Sequence, residues 1–334
     1  MLKERFRADK AGFTKASILT LVIIVLLLLP PIGMSLYYIH ILIGVFIYVI
    51  MTSSLRLISL SGQISLGHAG FMCAGAYASA VLSKNFELTP WLTIPIGALL
   101  TFVLALLVAI PFTRLRGLYF TMISLFFGMA VLAINELFQD FTGGQSGMIG
   151  IPRLMGIDKI PYYYFFFVLM MISLFIIHRL EFSRIGLTWK AVAQSHAVAS
   201  SIGINETRQR IMCFAIGALF AGLTGAAYAH YYVVLSITTF SFFTSIYLFV
   251  YMMVGGVNSF YGPIIGAAAL LLVQTFTRGL KEYVPFIFAA VLLLMLYLMP
   301  QGLAGLPLQI KNWYEKTRQE REQRREKEVI SRAP

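Results

Sequence analysis

Apolar residues run through the chain in long blocks, separated by short polar, charged or glycine-rich breaks. A helix needs about 20 predominantly apolar residues to cross a bilayer. By that measure the pattern predicts ten spans, near 17–36, 38–58, 63–82, 91–112, 117–138, 161–178, 210–232, 243–257, 262–277 and 284–300. Pro161, Pro263 and Pro285 fall near predicted span starts, where a missing N–H costs little. The expected fold is all-α, a polytopic membrane protein of about ten transmembrane helices. Ten spans divide into two halves of five that enter from opposite sides, as in an inverted repeat.

Composition agrees. The 334 residues are 59% hydrophobic and 12% charged, with mean hydropathy +0.81. A soluble domain carries about 25% charged residues. The basic residues Lys3, Arg5, Arg7, Lys10 and Lys15 precede the apolar run 18–29, which resembles a secretory signal. Pro30 and Pro31 follow in place of a small-residue cleavage site, so a first span over 17–36 is expected instead. Cys73 and Cys213 sit in apolar segments and make neither a disulfide framework nor a metal cluster.

Charge orients the spans. Ten spans place both termini on one side, and that side then holds 21 of the 26 Lys and Arg residues. The positive-inside rule makes it the cytoplasm. The predicted organisation is a basic cytoplasmic N-terminus (1–16), a transmembrane domain (17–309) with a cytoplasmic segment at 182–210, and a charged cytoplasmic tail (310–334). The formal charge of +12 then lies at the cytoplasmic membrane face, where basic residues meet lipid, and no nucleic-acid partner is needed to explain it.

Chemistry is sparse. The sequence contains neither a G-x-x-x-x-G-K-[ST] phosphate loop nor an H-E-x-x-H zinc motif. His40, His68, His178, His196 and His230 lack metal-ligand spacing and read as packing or interface residues. No nucleophile stands with a base, so an enzyme is disfavoured and no directly bound cofactor or metal is expected. Glu136 and Arg56 lie near predicted span ends and read as interface residues. Carboxylates deeper in the spans would mark a proton pathway. Their scarcity argues that transport energy comes from elsewhere.

One stretch breaks the apolar pattern: GQISLGHAGFMCAGAYASA, residues 62–80. Each glycine costs a helix about 1 kcal/mol relative to alanine. A broken helix survives in a membrane only where protein or a water-filled cavity satisfies its backbone, and transporters place substrate at such breaks. Residues 62–68 are expected to form the break, with Gly62, Gln63, Ser65, Gly67 and His68 lining the substrate path or its gate. Gly70, Ala74, Ala78, Gly75 and Ser79, at helical spacing, are expected to form a packing face. A second small-residue region, GGVNSFYGPIIGAAA (255–269), reads as a tight turn plus a packing face through Gly262 and Gly266. In an inverted repeat the junction near 59–66 corresponds to that near 233–245, which includes SITTFSFFTS.

The segment 182–210 is too polar to span. Residues 189–200 read as a short alanine-rich helix, stopped by Gly203. The pattern of Gly186, Trp189, Ala191, Ala199, Gly203, Ile204 and Asn205 resembles the coupling-helix motif of ABC importer permeases. With SGQISLGHAGFMCAGAYASA, LRGLYFTMISL, TGGQSGMIGIP and GGVNSFYGPIIGA in the same order, the chain is similar to the LivM-type permeases of branched-chain amino acid importers.

The resemblance implies a bacterial inner-membrane permease subunit. It implies a homologous permease partner, two cytoplasmic ATP-binding subunits that use the ATP, and an extracytoplasmic substrate-binding protein facing residues 139–160. It also implies that Gly186, Trp189, Ala191, His196, Ala199, Gly203 and Ile204 belong to the ATPase-coupling segment. The family's acidic residues after the Trp-containing turn are replaced here by Gln194, Ser195, His196 and Ala197. Alternatives are an ABC permease for urea, short amides or sugars, and a stand-alone carrier or channel.

Overall fold

The computed structural model describes residues 35–277, residues 283, 286, 289, 290, 293 and 297, and residues 302–305. The expected N-terminal region, nearly all of the first span, the charged tail and most of the last span (284–300) lie outside the described residues. Eleven α-helices follow one another within 35–277. They are α1 (Leu36–Ser59), α2 (His68–Asn85), α3 (Pro90–Phe112), α4 (Leu118–Leu137) and the short α5 (Gln139–Thr142). Then come α6 (Lys159–Glu181), α7 (Arg184–Gln194), α8 (His196–Ser201), α9 (Glu206–Tyr232), α10 (Phe242–Gly255) and α11 (Gly262–Phe276). Six helices among the described residues are long and apolar enough to cross a membrane. At 1.5 Å per residue, α1 is about 36 Å long, enough for a hydrocarbon core of about 30 Å.

Local chemistry sets the helix ends. Ser35 caps α1 by accepting from the Tyr37 N–H, and Asn205 caps α9 by accepting from the Arg208 N–H. Pro90 opens α3, and Pro263 lies in the first turn of α11. α9 is the centre of the bundle and packs along α2 and α3, while α1 lies against α6, α9 and α11. The core is aliphatic and aromatic; Phe71, Phe112, Phe120 and Phe214 form one aromatic cluster, most of its ring pairs edge-to-face. The only strand pairing among the described residues is two residues long, with Met148 opposite Leu235 and Ile149 opposite Val234.

Small residues let the backbones touch. A Cβ on Gly75 would lie 2.3 Å from the Gly222 carbonyl oxygen, and one on Gly225 would lie 2.0 Å from that of Met72. Of the predicted packing face on α2, Gly75 makes a backbone contact with α9, whereas Gly70 admits Gly128 of α4. In the second small-residue region, a Cβ on Gly266 would lie 2.1 Å from the Tyr251 carbonyl oxygen, and residues 256–261 make the turn between α10 and α11.

Three expectations are corrected. The third span begins at His68 rather than residue 63, because residues 60–67 turn instead of continuing a helix. The segment 182–210 holds two short helices, not one over 189–200. α7 already starts at Arg184, and Ser195 breaks the run by accepting from the Val198 N–H as the cap of α8. Arg56 is not an interface residue: it is 2% exposed.

The glycine contacts yield a direct test. Gly225→Ala should destabilise the folded protein by about 1–3 kcal/mol, as overpacking does. Gly44→Ala, whose Cβ would meet nothing closer than 3.6 Å, should be neutral or stabilising by up to about 1 kcal/mol. Thermal unfolding in detergent of the two variants beside the native chain checks both signs.

Candidate functional site

The break at 60–67 folds back beside α1. His68, the first residue of α2, is buried, and its Nε2 lies 2.8 Å from the Ser54 hydroxyl, five residues before the end of α1. Hydroxyls from other helices satisfy the broken backbone. The Leu66 N–H donates to Ser124 Oγ at 3.1 Å, and Thr121 Oγ donates to the Ile64 carbonyl at 2.9 Å, both from α4. The Ala69 N–H, in the first turn of α2, donates to Ser245 Oγ of α10 at 3.2 Å.

Ser245 lies just after the second break, at 233–241, which precedes α10. The starts of α2 and α10 therefore meet inside the bundle. Between them, a void of about 10 Å³ is lined in part by Leu66, Gly70, Gly128, Phe240 and Ser245. It has room for about one water molecule, far short of an amino acid.

The five residues expected at the substrate path all lie in or beside this break, but most face protein. Gln63, Ser65, Gly67 and His68 are buried, while Gly62 is exposed. A Cβ on Gly67 would lie 1.9 Å from the Ser124 carbonyl oxygen, so this glycine admits α4 rather than lining open space. Gln63 Nε2 and Ser65 Oγ have no hydrogen-bond partner among the described residues. Gly62 has φ +79, and a Cβ there would lie 3.3 Å from the Ala193 Cα in α7. The break thus touches the connector 182–205 directly.

The connector is fastened from below by buried charge. Arg56 near the end of α1 forms a two-pronged pair with Glu181 at the end of α6, through Nη1–Oε2 at 2.6 Å and Nη2–Oε1 at 2.9 Å. Both side chains are 2% exposed. Arg56 Nε also donates to the Val257 carbonyl in the α10–α11 turn at 2.7 Å, and Lys190 of α7 reaches Glu181 Oε1 at 3.1 Å. One guanidinium therefore ties α1, α6 and the α10–α11 turn together, and Glu181 adds the connector. A second cluster gathers at Glu206, whose carboxylate meets Arg210 at 2.9 Å, His196 at 3.2 Å and Arg116 at 3.2 Å. His196 thus lies against an acid of its own chain.

The coupling-motif residues divide by burial. Trp189, Gly186 and Ala199 are buried and hold the connector on the bundle, so they cannot touch another subunit. Ala191, His196 and Ile204 are half-buried. Gly203 has φ +81 and ends α8 in a paired turn: its N–H donates to the Ser200 carbonyl, and the Ile204 N–H donates to that of Ala199. The exposed large apolar residues of the connector are Phe182, Ile185, Leu187, Val198 and Ile202, none of which the motif includes.

Sequence reading missed Glu181, Ser124, Thr121 and Ser245. Glu181 had a signal, an acid at a predicted span end facing the same side as Arg56. The hydroxyls had none beyond lying in the quoted stretches, because serine and threonine are common in membrane helices. Removing one partner of a buried pair strands a charge and costs about 3–5 kcal/mol, whereas replacing both with apolar residues of similar volume is often close to neutral. Glu181→Ala should therefore lose most folded protein in size-exclusion and thermal-unfolding assays, and R56M/E181M should recover much of it.

The sequence pattern of the family described as "Branched-chain amino acid transport system / permease component" matches residues 37–300. The high-affinity branched-chain amino acid transport system permease protein LivM of Salmonella typhimurium is 28% identical over 288 residues, 77% of this chain and 67% of that protein. LivM of Escherichia coli is 28% identical over 300 residues, 80% of this chain and 70% of that protein. The permease protein LivH of Escherichia coli is 31% identical over 139 residues, 41% of this chain and 44% of that protein. No solved structure matches. A match across residues 37–300, carrying the break, both helix starts and the connector, decides the family: the chain belongs to the permease components of branched-chain amino acid transport systems.

Proposed function

We propose that the chain is the permease subunit of an ATP-driven importer of branched-chain and other hydrophobic amino acids. It pairs with a LivH-like permease and works with two ATP-binding subunits and an extracytoplasmic binding protein. The observation that carries this reading is the contact between break and connector, Gly62 against Ala193. It joins a polar break inside an apolar bundle to a loop that other subunits can push.

The connector face is cytoplasmic in this reading, with both chain termini on that side of the bacterial inner membrane, as the charge distribution favours. Residues 139–160 then face outward, toward the binding protein. Ile185, Leu187, Val198 and Ile202 form the apolar surface that seats in a groove of the ATPase, in the manner of helix-in-groove recognition. The void at the break is too small for substrate within this chain alone, which favours a path shared with a second subunit. The substrate path runs between this subunit and its permease partner, along the break. Gly62, Gln63, Ser65, Gly67 and His68 form or gate it, and the unpartnered polar atoms of Gln63 and Ser65 become available when the break shifts. The chain itself performs no covalent chemistry and binds no cofactor.

Reconstitution in vesicles with the partner subunits and binding protein should give uptake of leucine, isoleucine and valine that requires ATP. L187E/I202E should still insert, yet lose the ATP-binding subunits on co-purification and reduce uptake to background. Accumulation of these amino acids without nucleotide, or full uptake by L187E/I202E, would refute the proposal.

A further inference from the structure

We infer that a cavity on the face opposite the connector binds the phosphate of an anionic phospholipid headgroup. The cavity holds about 270 Å³ and opens where the start of α1, the start of α6 and the end of α9 converge. His40, Tyr162, Tyr231 and Tyr232 wall it, with Arg153 and Lys159 among its lining residues. The wall is braced by protein contacts. His40 Nδ1 lies 2.7 Å from the Tyr231 hydroxyl, and the His40 ring stands edge-on to Tyr232 at 5.6 Å. The Tyr162 hydroxyl accepts from the Met155 N–H at 3.0 Å and donates to the His230 carbonyl at 3.3 Å. Tyr162 and Tyr231 are thus engaged, and the capacity left for a ligand is cationic. Neither Arg153 nor Lys159 enters an ion pair among the described residues.

Unpaired basic residues are ordinary on a surface; three features make these two a site. They line a cavity between helices instead of projecting from a flat face. Tyrosines crowd the cavity, and tyrosine is enriched at headgroup depth. Leu36, Tyr37, Tyr38, Ile157 and Ile160 are exposed and apolar beside it, giving acyl chains a surface to follow. The volume is below that of pockets built for drug-sized ligands, and it suits a headgroup. Arg153 and Lys159 lie toward the end of the stretch 139–160 that the proposed function turns toward the binding protein; a carboxylate of that protein could reach the cations, but it would leave the apolar flank uncovered. The chemistry of recognition is therefore a phosphodiester with attached acyl chains.

Native mass spectrometry of the full chain in detergent, titrated with phosphatidylglycerol, tests this. The native chain should retain one phosphatidylglycerol in preference to phosphatidylcholine. R153Q/K159Q should bind it about thirtyfold more weakly, and R153K/K159R, which keeps both charges, should retain it. Equal retention by the native chain and R153Q/K159Q overturns the inference. Displacement of the lipid by equimolar inorganic phosphate overturns it in favour of a free-phosphate site. Unchanged lipid binding with weakened affinity of R153Q/K159Q for the extracytoplasmic binding protein overturns it in favour of a protein carboxylate. None of these outcomes bears on whether transport requires ATP.

Discussion

Everything at the connector end depends on burying the Arg56 guanidinium. Desolvating a charge costs several kcal/mol even after relaxation, and the cost is recovered only when geometry is good and further hydrogen bonds add to the pair. Arg56 meets that condition with two bonds to Glu181 and a third to the Val257 carbonyl. Glu181 is completed by Lys190. These partners come from α6, α7 and the α10–α11 turn, so the position of one side chain dictates the positions of four elements. The planar fork of arginine makes this possible; a lysine could not reproduce the two-pronged pairing.

Close packing supplies the second constraint. Gly75, Gly225 and Gly67 let α2 and the break approach α9 and α4 until backbone meets backbone. At that distance the hydroxyls of Thr121, Ser124 and Ser245 reach backbone groups that residues 60–69 leave outside their own helix. An unsatisfied N–H in a bilayer would cost several kcal/mol. The break is therefore stable where it sits, and it can shift only if those hydroxyls shift with it or something else takes their place. The lack of room at the break and its contact with the connector follow from the same packing.

Much of this was legible in the sequence. The helices over 90–112, 118–137 and 206–232 start and stop within a few residues of expectation, because apolar run length and charged boundaries are dictated by the bilayer. The break was legible because glycine and polar residues are costly in an apolar helix. Its orientation was not: burial of Gln63, Ser65 and His68 depends on α1, α4 and α10, which no local pattern encodes. Trp189 shows the same limit from the other side. Its place in a recognisable motif suggested contact with a partner, yet it is fully buried in its own chain. The surface left for a partner is the set of exposed aliphatic residues around it. Ser195 was read as a departure from a family motif, and its structural work, capping α8, appeared only with the backbone.

Under the proposed function, the central claim is that the Arg56–Glu181 pair makes connector and bundle move together, so that work done on the connector by the proposed ATP-binding subunits reaches the break. The most direct measurement is the number of substrate molecules imported per ATP hydrolysed by the reconstituted R56M/E181M importer. The account predicts a ratio at least about tenfold below that of the native importer, the equivalent of about 1.4 kcal/mol of lost coupling, with subunit assembly and ATP hydrolysis retained. A native ratio in a folded, assembled R56M/E181M complex would contradict it.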